Sequence, residues 1–358
     1  MSVLPKYIAA ANDTAVVLLG TGVVGGALLR LLTTPAASAV YLVGAANSTR
    51  QIFNARGIVP IHVPTLLQTT AAGRNEADLL AALDASGAAH RVIVDATASD
   101  ETAARHAVWL DAGYHVVSAN KAAIGEGLVS WRAVHEASAR GGVEYGDAAT
   151  VGAGLPVLST LRRLRECGDR LRILEGVFSG SLSWLFNRFD GSQPFSALLH
   201  EARAFGYTEP DPRIDLGGAD VARKLLILAR AGGHAIDSSQ VEIESLVPAH
   251  LRELDVPTFL ARADELDAAL EDRRARAAET GCVLRFLARL DQHGAARVGL
   301  AEVATSHPAA RLAGTDNLFA LRTERYRKQP LVIQGPGAGP EVTAQALLGD
   351  LLSLRSLV

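Results

Sequence analysis

The chain has 358 residues, of which 49% are hydrophobic, and a formal net charge of −3 at pH 7. A chain of this length can bury two packed units, and its near-neutral charge offers no basic face for nucleic acid. The two cysteines, Cys167 and Cys282, lack the spacing of a disulfide framework or a zinc site. The longest uncharged apolar run, 15–29, is too short and too rich in glycine to span a bilayer. We therefore expect a soluble protein of the reducing cytoplasm that binds neither nucleic acid nor membrane.

The first half of the chain alternates short apolar runs with longer helical stretches, which is typical of βαβ units on a parallel sheet. Strands are predicted at 15–19, 39–44, 91–95, 115–117 and 142–145. Helices are predicted at 24–32, 76–84, 101–112 and 129–140. This pattern predicts a doubly wound α/β domain of the Rossmann type.

After Asp147 the pattern changes to that of an α+β unit. Strands are predicted at 171–178, 283–290 and 296–303, and a charged helix at 261–280. The tail has an apolar run at 331–334, a glycine turn at 335–339 and an amphipathic helix at 341–354. We assign 1–146 and 331–358 to the Rossmann domain, to which the last helix returns, and 147–330 to a second domain.

The first predicted strand leads directly into Gly20-Thr21-Gly22-Val23-Val24-Gly25, which opens the first helix. Glycines there allow a tight turn and the close approach of a pyrophosphate, which rests on the helix N-terminus. A glycine turn alone is weak evidence, but a strand before it and a helix after it favour a dinucleotide site. We therefore predict that a cofactor contacts Gly20, Gly22, Val23, Val24 and Gly25.

The end of the second predicted strand bears on the choice of cofactor. NAD-selective sites usually place a carboxylate there, which binds the ribose hydroxyls. This chain instead has Asn47-Ser48-Thr49-Arg50. Because Asn47 and Arg50 suit a 2′-phosphate, NADP is the predicted cofactor and NAD the alternative. The competing interpretation is that Arg50 is merely one of 31 arginines on the surface.

Polar residues also follow the next two predicted parallel strands. Thr97 follows the strand at 91–95, and Asn120 and Lys121 follow the strand at 115–117. Ligands of open α/β sheets bind beyond the carboxyl ends of the strands, so these residues are expected at the nicotinamide end of the cofactor. Capping of a helix is the alternative role for Thr97.

The chain has only four lysines, so each can be considered singly. A lysine amine can be tuned towards neutrality, unlike a guanidinium, so a retained lysine can mark a site that needs a titratable amine. Lys224 follows the carboxylate-rich segment 206–220 and begins an apolar helical run. Its partner four residues earlier, Asp220, is consistent with a simple surface ion pair. A buried lysine among carboxylates instead predicts a site that recognises a zwitterion or transfers a proton.

These motifs resemble those of the homoserine dehydrogenase family, including the monofunctional fungal enzymes and the dehydrogenase module of bacterial aspartokinase–homoserine dehydrogenase. The resemblance covers almost the whole chain, and the block at 206–224 is nearly diagnostic. The matching motifs are GTGVVG at 20–25, ANK at 119–121, TVGAGLP at 150–156, FSGSLSW at 178–184, GYTEPDPRIDLGGADVARK at 206–224, SHP at 306–308 and IQGPGAG at 333–339.

The resemblance implies reversible NAD(P)-dependent oxidation of L-homoserine to L-aspartate 4-semialdehyde, in the biosynthesis of threonine, methionine and isoleucine. It implies that Lys224 is the proton-transfer residue, with Lys121 as a second catalytic lysine, and that Gly339 returns to the cofactor. The residues implied to organise the substrate are Glu209, Asp215, Asp220 and Ser181. The resemblance also implies a homodimer that forms through the second domain.

One departure concerns a bound cation. Family members carry a carboxylate three residues before the valine of VGAGLP, and here that position is Ala148. The backbone carbonyls of Val151, Ala153 and Leu155 are still candidates to coordinate a monovalent cation such as Na⁺. The sequence carries neither an aspartokinase module nor an ACT domain, so we expect no inhibition by threonine through an appended domain.

Two other classes of protein are less well supported. A semialdehyde dehydrogenase that works through a thioester needs a nucleophilic cysteine with a partner histidine, and neither cysteine lies in such a motif. A non-catalytic NADP sensor would keep the glycine turn but would not need Lys224 among carboxylates. Homoserine-dependent formation of NADPH at alkaline pH distinguishes these classes.

Overall fold

The structure is a computed structural model that describes residues 13–354. These residues form two compact units: the first consists of 13–154 and 338–354, and the second is Leu155–Gly337. The domain boundaries predicted at 147 and 331 lie several residues before the limits of these compact units. Among the described helices, none has the length and apolar character needed to cross a membrane.

The first unit is built on a six-stranded sheet with the order β3-β2-β1-β4-β5-β6. Its strands are β1 Thr14–Leu19, β2 Val40–Ala46, β3 Gln51–Ile58, β4 His90–Asp95, β5 His115–Ser118 and β6 Tyr145–Gly146. Neighbouring strands are parallel, except that β3 runs antiparallel to β2. Leu19 pairs with Ala46 and Asp95, and Asp95 pairs with Ser118, so four carboxyl ends lie along one edge of the sheet.

Between residues 13 and 154, the first unit has seven α-helices. They are α1 Val23–Leu31, α2 Val63–Thr69, α3 Glu76–Asp84, α4 Asp100–Ala104, α5 His106–Asp111, α6 Ala122–Gly125 and α7 Leu128–Gly141. All six residues of β1 are buried, and apolar side chains of β1 and α1 share one core. The Rossmann-type α/β prediction is confirmed.

The structure of the first unit differs from the prediction at several elements. The edge strand β3 was missed because most of its residues are only partly buried, so no continuous apolar run marks it. The helix predicted at 101–112 is divided by a turn at Arg105, after which His106 is fully buried. The strand predicted at 142–145 shrinks to Tyr145–Gly146, because Gly142 takes a left-handed conformation (φ 64°) that ends α7.

The second unit is built on a six-stranded sheet with the order β12-β11-β7-β9-β10-β8. Its strands are β7 Leu171–Val177, β8 Val241–Ile243, β9 Cys282–Leu290, β10 Ala296–Ala304, β11 Asp316–Thr323 and β12 Leu331–Pro336. Its helices are α8 Val157–Glu166, α9 Gly180–Arg188, α10 Phe195–Ala204, α11 Arg213–Leu216, α12 Ala219–Ala231, α13 Ala249–Arg252, α14 Val256–Ala261 and α15 Asp267–Glu279. The predicted α+β unit is confirmed.

Two strands of the second unit differ from the prediction. β11 was not predicted, because its apolar run 318–321 is too short to distinguish a strand from a helix by periodicity. β12 pairs antiparallel with β11, from Leu331 opposite Leu321 to Pro336 opposite Asp316. The segment 331–336 therefore belongs to the second sheet and not to the Rossmann domain.

The last helix, α16 Pro340–Ser353, returns to the first unit as predicted. It buries Ala344, Leu347 and Leu351 in the same core as β1 and α1. Its Asp350 accepts a hydrogen bond from the backbone N–H of Ala148 at 2.9 Å. The helix thus completes the apolar core of the first unit and caps a turn that follows β6.

Candidate functional site

The glycine turn of the first unit has the conformation that a dinucleotide site needs. Gly20 has a φ of +88°, and a Cβ there would lie 2.7 Å from the carbonyl oxygen of Ala96. A Cβ on Gly25 would lie 1.9 Å from the carbonyl oxygen of Gly20. Gly22 has open space around it and precedes α1 without a side-chain cap. The turn before α1 therefore has no room for a side chain at Gly20 or Gly25. A backbone turn of this kind at a helix N-terminus is suited to bind a pyrophosphate.

Asn47 and Arg50 line one cavity of about 440 Å³ in the first unit, together with Thr21 and Gln68. The Asn47 side-chain oxygen accepts hydrogen bonds from the backbone N–H groups of Thr49 (2.9 Å) and Arg50 (2.8 Å). The Arg50 guanidinium donates to the carbonyl oxygen of Gln68 in α2 at 2.5 Å. These hydrogen bonds fold the loop so that Asn47 and the Arg50 guanidinium line the same cavity. Thr21 of the glycine turn also lines it.

Thr97 is hydrogen-bonded to the carboxylate of Asp95, the last residue of β4. The Thr97 backbone N–H donates to Asp95 Oδ1 at 2.8 Å, and its hydroxyl donates to the same oxygen at 2.7 Å. The Asn120 side chain donates to Asp95 Oδ2 at 3.1 Å. Thr97, which follows β4, and Asn120, which follows β5, are therefore joined through one buried carboxylate.

Lys121 lies immediately before α6, and its carbonyl oxygen accepts from the N–H groups of Ile124 and Gly125. At the start of α1, Val23 is 76% exposed, which leaves it accessible to a ligand. Gly339 precedes α16 with a φ of +135°, a conformation that favours glycine. The structure brings all three into the first unit, and their contacts with a cofactor stay a prediction.

In the second unit, Lys224 is held by two acceptors. Its ammonium nitrogen lies 2.7 Å from Asp220 Oδ2, one turn earlier on α12, and 2.8 Å from the carbonyl oxygen of Phe178. The side chain of Lys224 is 14% exposed and that of Asp220 is 44% exposed. Because an ammonium has three N–H groups, these contacts leave one donor for a ligand. The simple surface ion pair is therefore a poor description of Lys224.

Asp215 connects Ser181 with the loop that carries Glu209. The Ser181 hydroxyl donates to Asp215 Oδ1 at 2.6 Å, and the Glu209 backbone N–H donates to Oδ2 at 2.9 Å. Burial raises the pKa of Asp215, and the charge of Asp220 adds to this rise, while the two hydrogen bonds oppose it. A half-buried carboxylate with a raised pKa near a lysine–carboxylate pair is typical of functional sites.

Two residues that the sequence reasoning did not assign hold this loop in place. Arg213 donates to Asp211 from Nε (2.9 Å) and Nη2 (2.8 Å), and from Nη1 to the carbonyl oxygen of Arg252 (2.8 Å). Its guanidinium also lies 5.3 Å from the ring centroid of Phe259. Arg213 thereby fixes the start of α11, which carries Asp215. The spacing of Asp211 and Arg213, two residues apart in the sequence, could have indicated this ion pair.

The predicted cation ligands have different surroundings. The carbonyl oxygen of Leu155 already accepts a hydrogen bond from the N–H of Val157 at 2.8 Å. Ala153 has a left-handed φ of 52°, and Val151 is fully buried. Within residues 13–354, no group of three or more His, Cys, Asp or Glu side chains forms a metal site. The monovalent cation stays a prediction.

Comparisons with known proteins agree with this geometry. A profile described as "Homoserine dehydrogenase" matches residues 156–352, and one described as "Homoserine dehydrogenase, NAD binding domain" matches residues 20–145. Bifunctional aspartokinase/homoserine dehydrogenase 2 of Escherichia coli is 40% identical over 349 residues, which cover 96% of this chain and 43% of that protein. The chain thus spans less than half of that relative. Homoserine dehydrogenase of Emericella nidulans is 39% identical over 306 residues, covering 82% of each chain.

Solved structures share the fold. A Candida auris protein of unknown function has a TM-score of 0.90 at 33% identity, covering 97% of this chain and 99% of that one. A hyperthermophilic archaeal homoserine dehydrogenase in complex with NADPH has a TM-score of 0.73 at 18% identity, covering 97% and 98%, which shows a common fold. The two profiles and the Emericella nidulans relative show that the chain belongs to the homoserine dehydrogenase family.

Proposed function

We propose that this protein oxidises L-homoserine reversibly to L-aspartate 4-semialdehyde with NADP as its preferred cofactor. The observation that carries the proposal is the contact of Lys224 with Asp220 and with the carbonyl oxygen of Phe178. This cluster lies in a chain of the homoserine dehydrogenase family whose first unit has an open glycine turn. The proposed step belongs to the biosynthesis of threonine, methionine and isoleucine.

The first unit is proposed to hold the cofactor. Gly20, Gly22 and Gly25 would leave room for the pyrophosphate at the N-terminus of α1, with Val23 and Val24 beside it. Asn47 and Arg50 would bind the 2′-phosphate, and Thr97, Lys121 and Gly339 would contact the rest of the cofactor. When bound, the nicotinamide supplies a hydride acceptor. The NADPH in a structurally similar archaeal homoserine dehydrogenase supports this choice of cofactor.

The second unit is proposed to bind the substrate and to handle its proton. Homoserine is a zwitterion, so its ammonium group needs acceptors, which Glu209, Asp215 and Asp220 provide. Loss of hydride from an alcohol carbon leaves a hydroxyl proton that must be removed. Lys224 either accepts this proton through the lone pair of its neutral amine, which becomes an ammonium, or is already an ammonium and stabilises the developing oxyanion by donating an N–H to it. Ser181 is proposed to orient Asp215, to which it donates a hydrogen bond.

We also propose a cytoplasmic homodimer that forms through the second unit. A groove of about 880 Å³ along β9 and β10, lined in part by Leu287 and Val303, offers a surface for a second copy. Both cysteines are free thiols, which suits a reducing compartment. A mass of about twice 37.6 kDa by light scattering is the expected result.

The experiment that tests the function is an assay of the purified protein at alkaline pH with L-homoserine and NADP. The expected result is formation of NADPH that depends on homoserine and reverses with L-aspartate 4-semialdehyde. L-Serine, which is one methylene shorter, is the matched control and should be a much poorer substrate. Tight NADPH binding without any turnover would instead support the non-catalytic sensor.

A further inference from the structure

The carboxylate of Asp95 is the centre of a hydrogen-bond network inside the first unit. Asp95 is fully buried, and its Oδ1 accepts both hydrogen bonds from Thr97. Its Oδ2 accepts from the Asn120 side chain at 3.1 Å and lies 3.0 Å from His106 Nε2. With four donors on two oxygens, the position of this carboxylate is fixed from several directions.

His106 supplies the fourth of these contacts with Asp95. It is the first residue of α5, it is fully buried, and its Nδ1 lies 3.0 Å from the hydroxyl of Tyr145 in β6. A carboxylate only accepts hydrogen bonds, so Nε2 must carry the proton that faces Asp95. The Tyr145 hydroxyl holds the other ring nitrogen, Nδ1. The two partners thereby set both the tautomer and the orientation of the imidazole.

The network extends from Asp95 to the segment that carries Lys121. The Asn120 amide nitrogen donates to Asp95 and also to the carbonyl oxygen of Ser99 at 2.9 Å. Its side-chain oxygen accepts from the N–H of Ala122, the first residue of α6, at 3.0 Å. A displacement of Asp95 would therefore move Thr97 directly, and would move the residues on both sides of Lys121 through Asn120.

We propose that His106 is a positioning residue, which holds Asp95 so that Thr97 and the Asn120-Lys121 segment keep the geometry needed at the nicotinamide end of the cofactor. The inference rests on the proposed function, because that function places Thr97 and Lys121 at the nicotinamide. His106 itself is fully buried and is not proposed to touch cofactor or substrate. Its effect should therefore be confined to the nicotinamide end and should leave the glycine turn and Arg50 unaffected.

The test compares three variants by titration with NADPH. His106→Leu removes the donor to Asp95, whereas His106→Gln retains an N–H at nearly the position of Nε2. His90→Leu is the matched control, because His90 is also a buried histidine but begins β4 at the end opposite Asp95. The measurements are the dissociation constant of NADPH, the change in nicotinamide fluorescence on binding, the midpoint of thermal unfolding and, with homoserine, kcat.

We expect His106→Leu to bind NADPH within about threefold of the wild type but to lose most of the fluorescence change, with kcat lower by about tenfold to a hundredfold. His106→Gln should recover at least half of the fluorescence change, and His90→Leu should keep all of it. A wild-type fluorescence change in His106→Leu would overturn the proposal. So would a parallel loss of NADPH affinity, or a Gln variant no better than the Leu variant. Because the fluorescence readout needs no substrate, failure of the homoserine assay alone would count against the proposed function and not against this inference.

Discussion

The two proposed binding sites of this protein are built from different parts of the chain. The glycine turn of the first unit is a backbone structure, in which a Cβ at Gly25 would come within 1.9 Å of a carbonyl oxygen. The cluster of the second unit is a side-chain structure, in which Lys224, Asp220, Asp215 and Ser181 hold their positions through hydrogen bonds. Binding at the first site should therefore be lost when a side chain is added to a glycine. Activity at the second site should be lost when a side chain is truncated.

Because of this difference, substitutions at the two sites should impair different properties of the protein. A substitution in the turn should weaken cofactor binding, because it displaces the backbone that approaches the pyrophosphate. A substitution in the cluster should leave cofactor binding intact and impair substrate binding or proton transfer. The following variants test the comparison, from the largest expected effect to the smallest.

Lys224→Ala should show the largest effect. It removes the amine, whose one remaining position could accept a proton or donate a hydrogen bond, and general acid–base catalysis contributes about a hundredfold to ten-thousandfold in rate. We expect kcat to fall by about a thousandfold or more in a steady-state assay of NADPH formation. Lys224→Arg should not restore it, because the guanidinium is larger and does not give up its proton. Near-native turnover in either variant would remove Lys224 from the catalytic role.

Gly25→Ala should show the next largest effect, on the cofactor and on stability together. The added methyl group collides with the carbonyl oxygen of Gly20, so the turn must shift, at a cost of about 1–3 kcal/mol. Gly26→Ala is the matched control on the same helix, because the nearest atom to its Cβ is the Arg30 guanidinium at 4.0 Å. That variant should gain up to about 1 kcal/mol from helix propensity. Equal NADPH affinities for the two variants, measured by calorimetry, would contradict a backbone-built site.

Asp215→Asn should separate substrate binding from stability. Because the pKa of Asp215 is raised in the folded protein, its contribution to stability is fully present at low pH and is lost as pH rises through the folded-state pKa. The asparagine of the variant does not titrate, so the variant does not lose this stability. The thermal unfolding midpoint of the variant minus that of the wild type should therefore increase as the pH rises above about 4. The KM for homoserine should increase by about tenfold or more, since charge-assisted hydrogen bonds contribute about 1.5–3 kcal/mol. A stability difference that does not change with pH would count against the raised pKa.

Arg50→Ala should show the smallest effect, limited to the cofactor. The guanidinium lines the cavity beside Thr21, so its loss should raise the KM for NADP by about tenfold. The KM for NAD, which has no 2′-phosphate, should remain within about twofold of the wild type. An equal rise for NAD would assign Arg50 to the support of α2, whose Gln68 carbonyl it contacts.

The sequence predicted those parts of the fold that depend on local patterns. The first strand, the glycine turn and α1 were placed within one residue at either end, because an apolar run and a glycine motif specify them locally. The strands β3 and β11 were missed because the first is half-exposed and the second has a short apolar run. Their assignment depends on the strands with which they pair, which a local pattern does not contain.

The same limit applies to the candidate site. The Asp220–Lys224 pair followed from helical spacing, since residues four apart share a helix face. Ser181 came only from family resemblance, because the hydrogen bond to Asp215 joins residues 34 apart in the chain. Nothing in the sequence pointed to His106, since a histidine in an apolar helix gives no indication of which carboxylate it will meet. Such contacts are set by the packing of whole elements.

The most direct test of the account is a titration of Lys224→Ala with NADPH. If the backbone of the first unit builds the cofactor site and the side chains of the second carry the chemistry, this variant should bind NADPH within about twofold of the wild type, a difference of less than about 0.5 kcal/mol. The same preparation should show a homoserine-dependent turnover that is lower by about a thousandfold or more. A loss of NADPH affinity that parallels the loss of turnover would contradict the central claim.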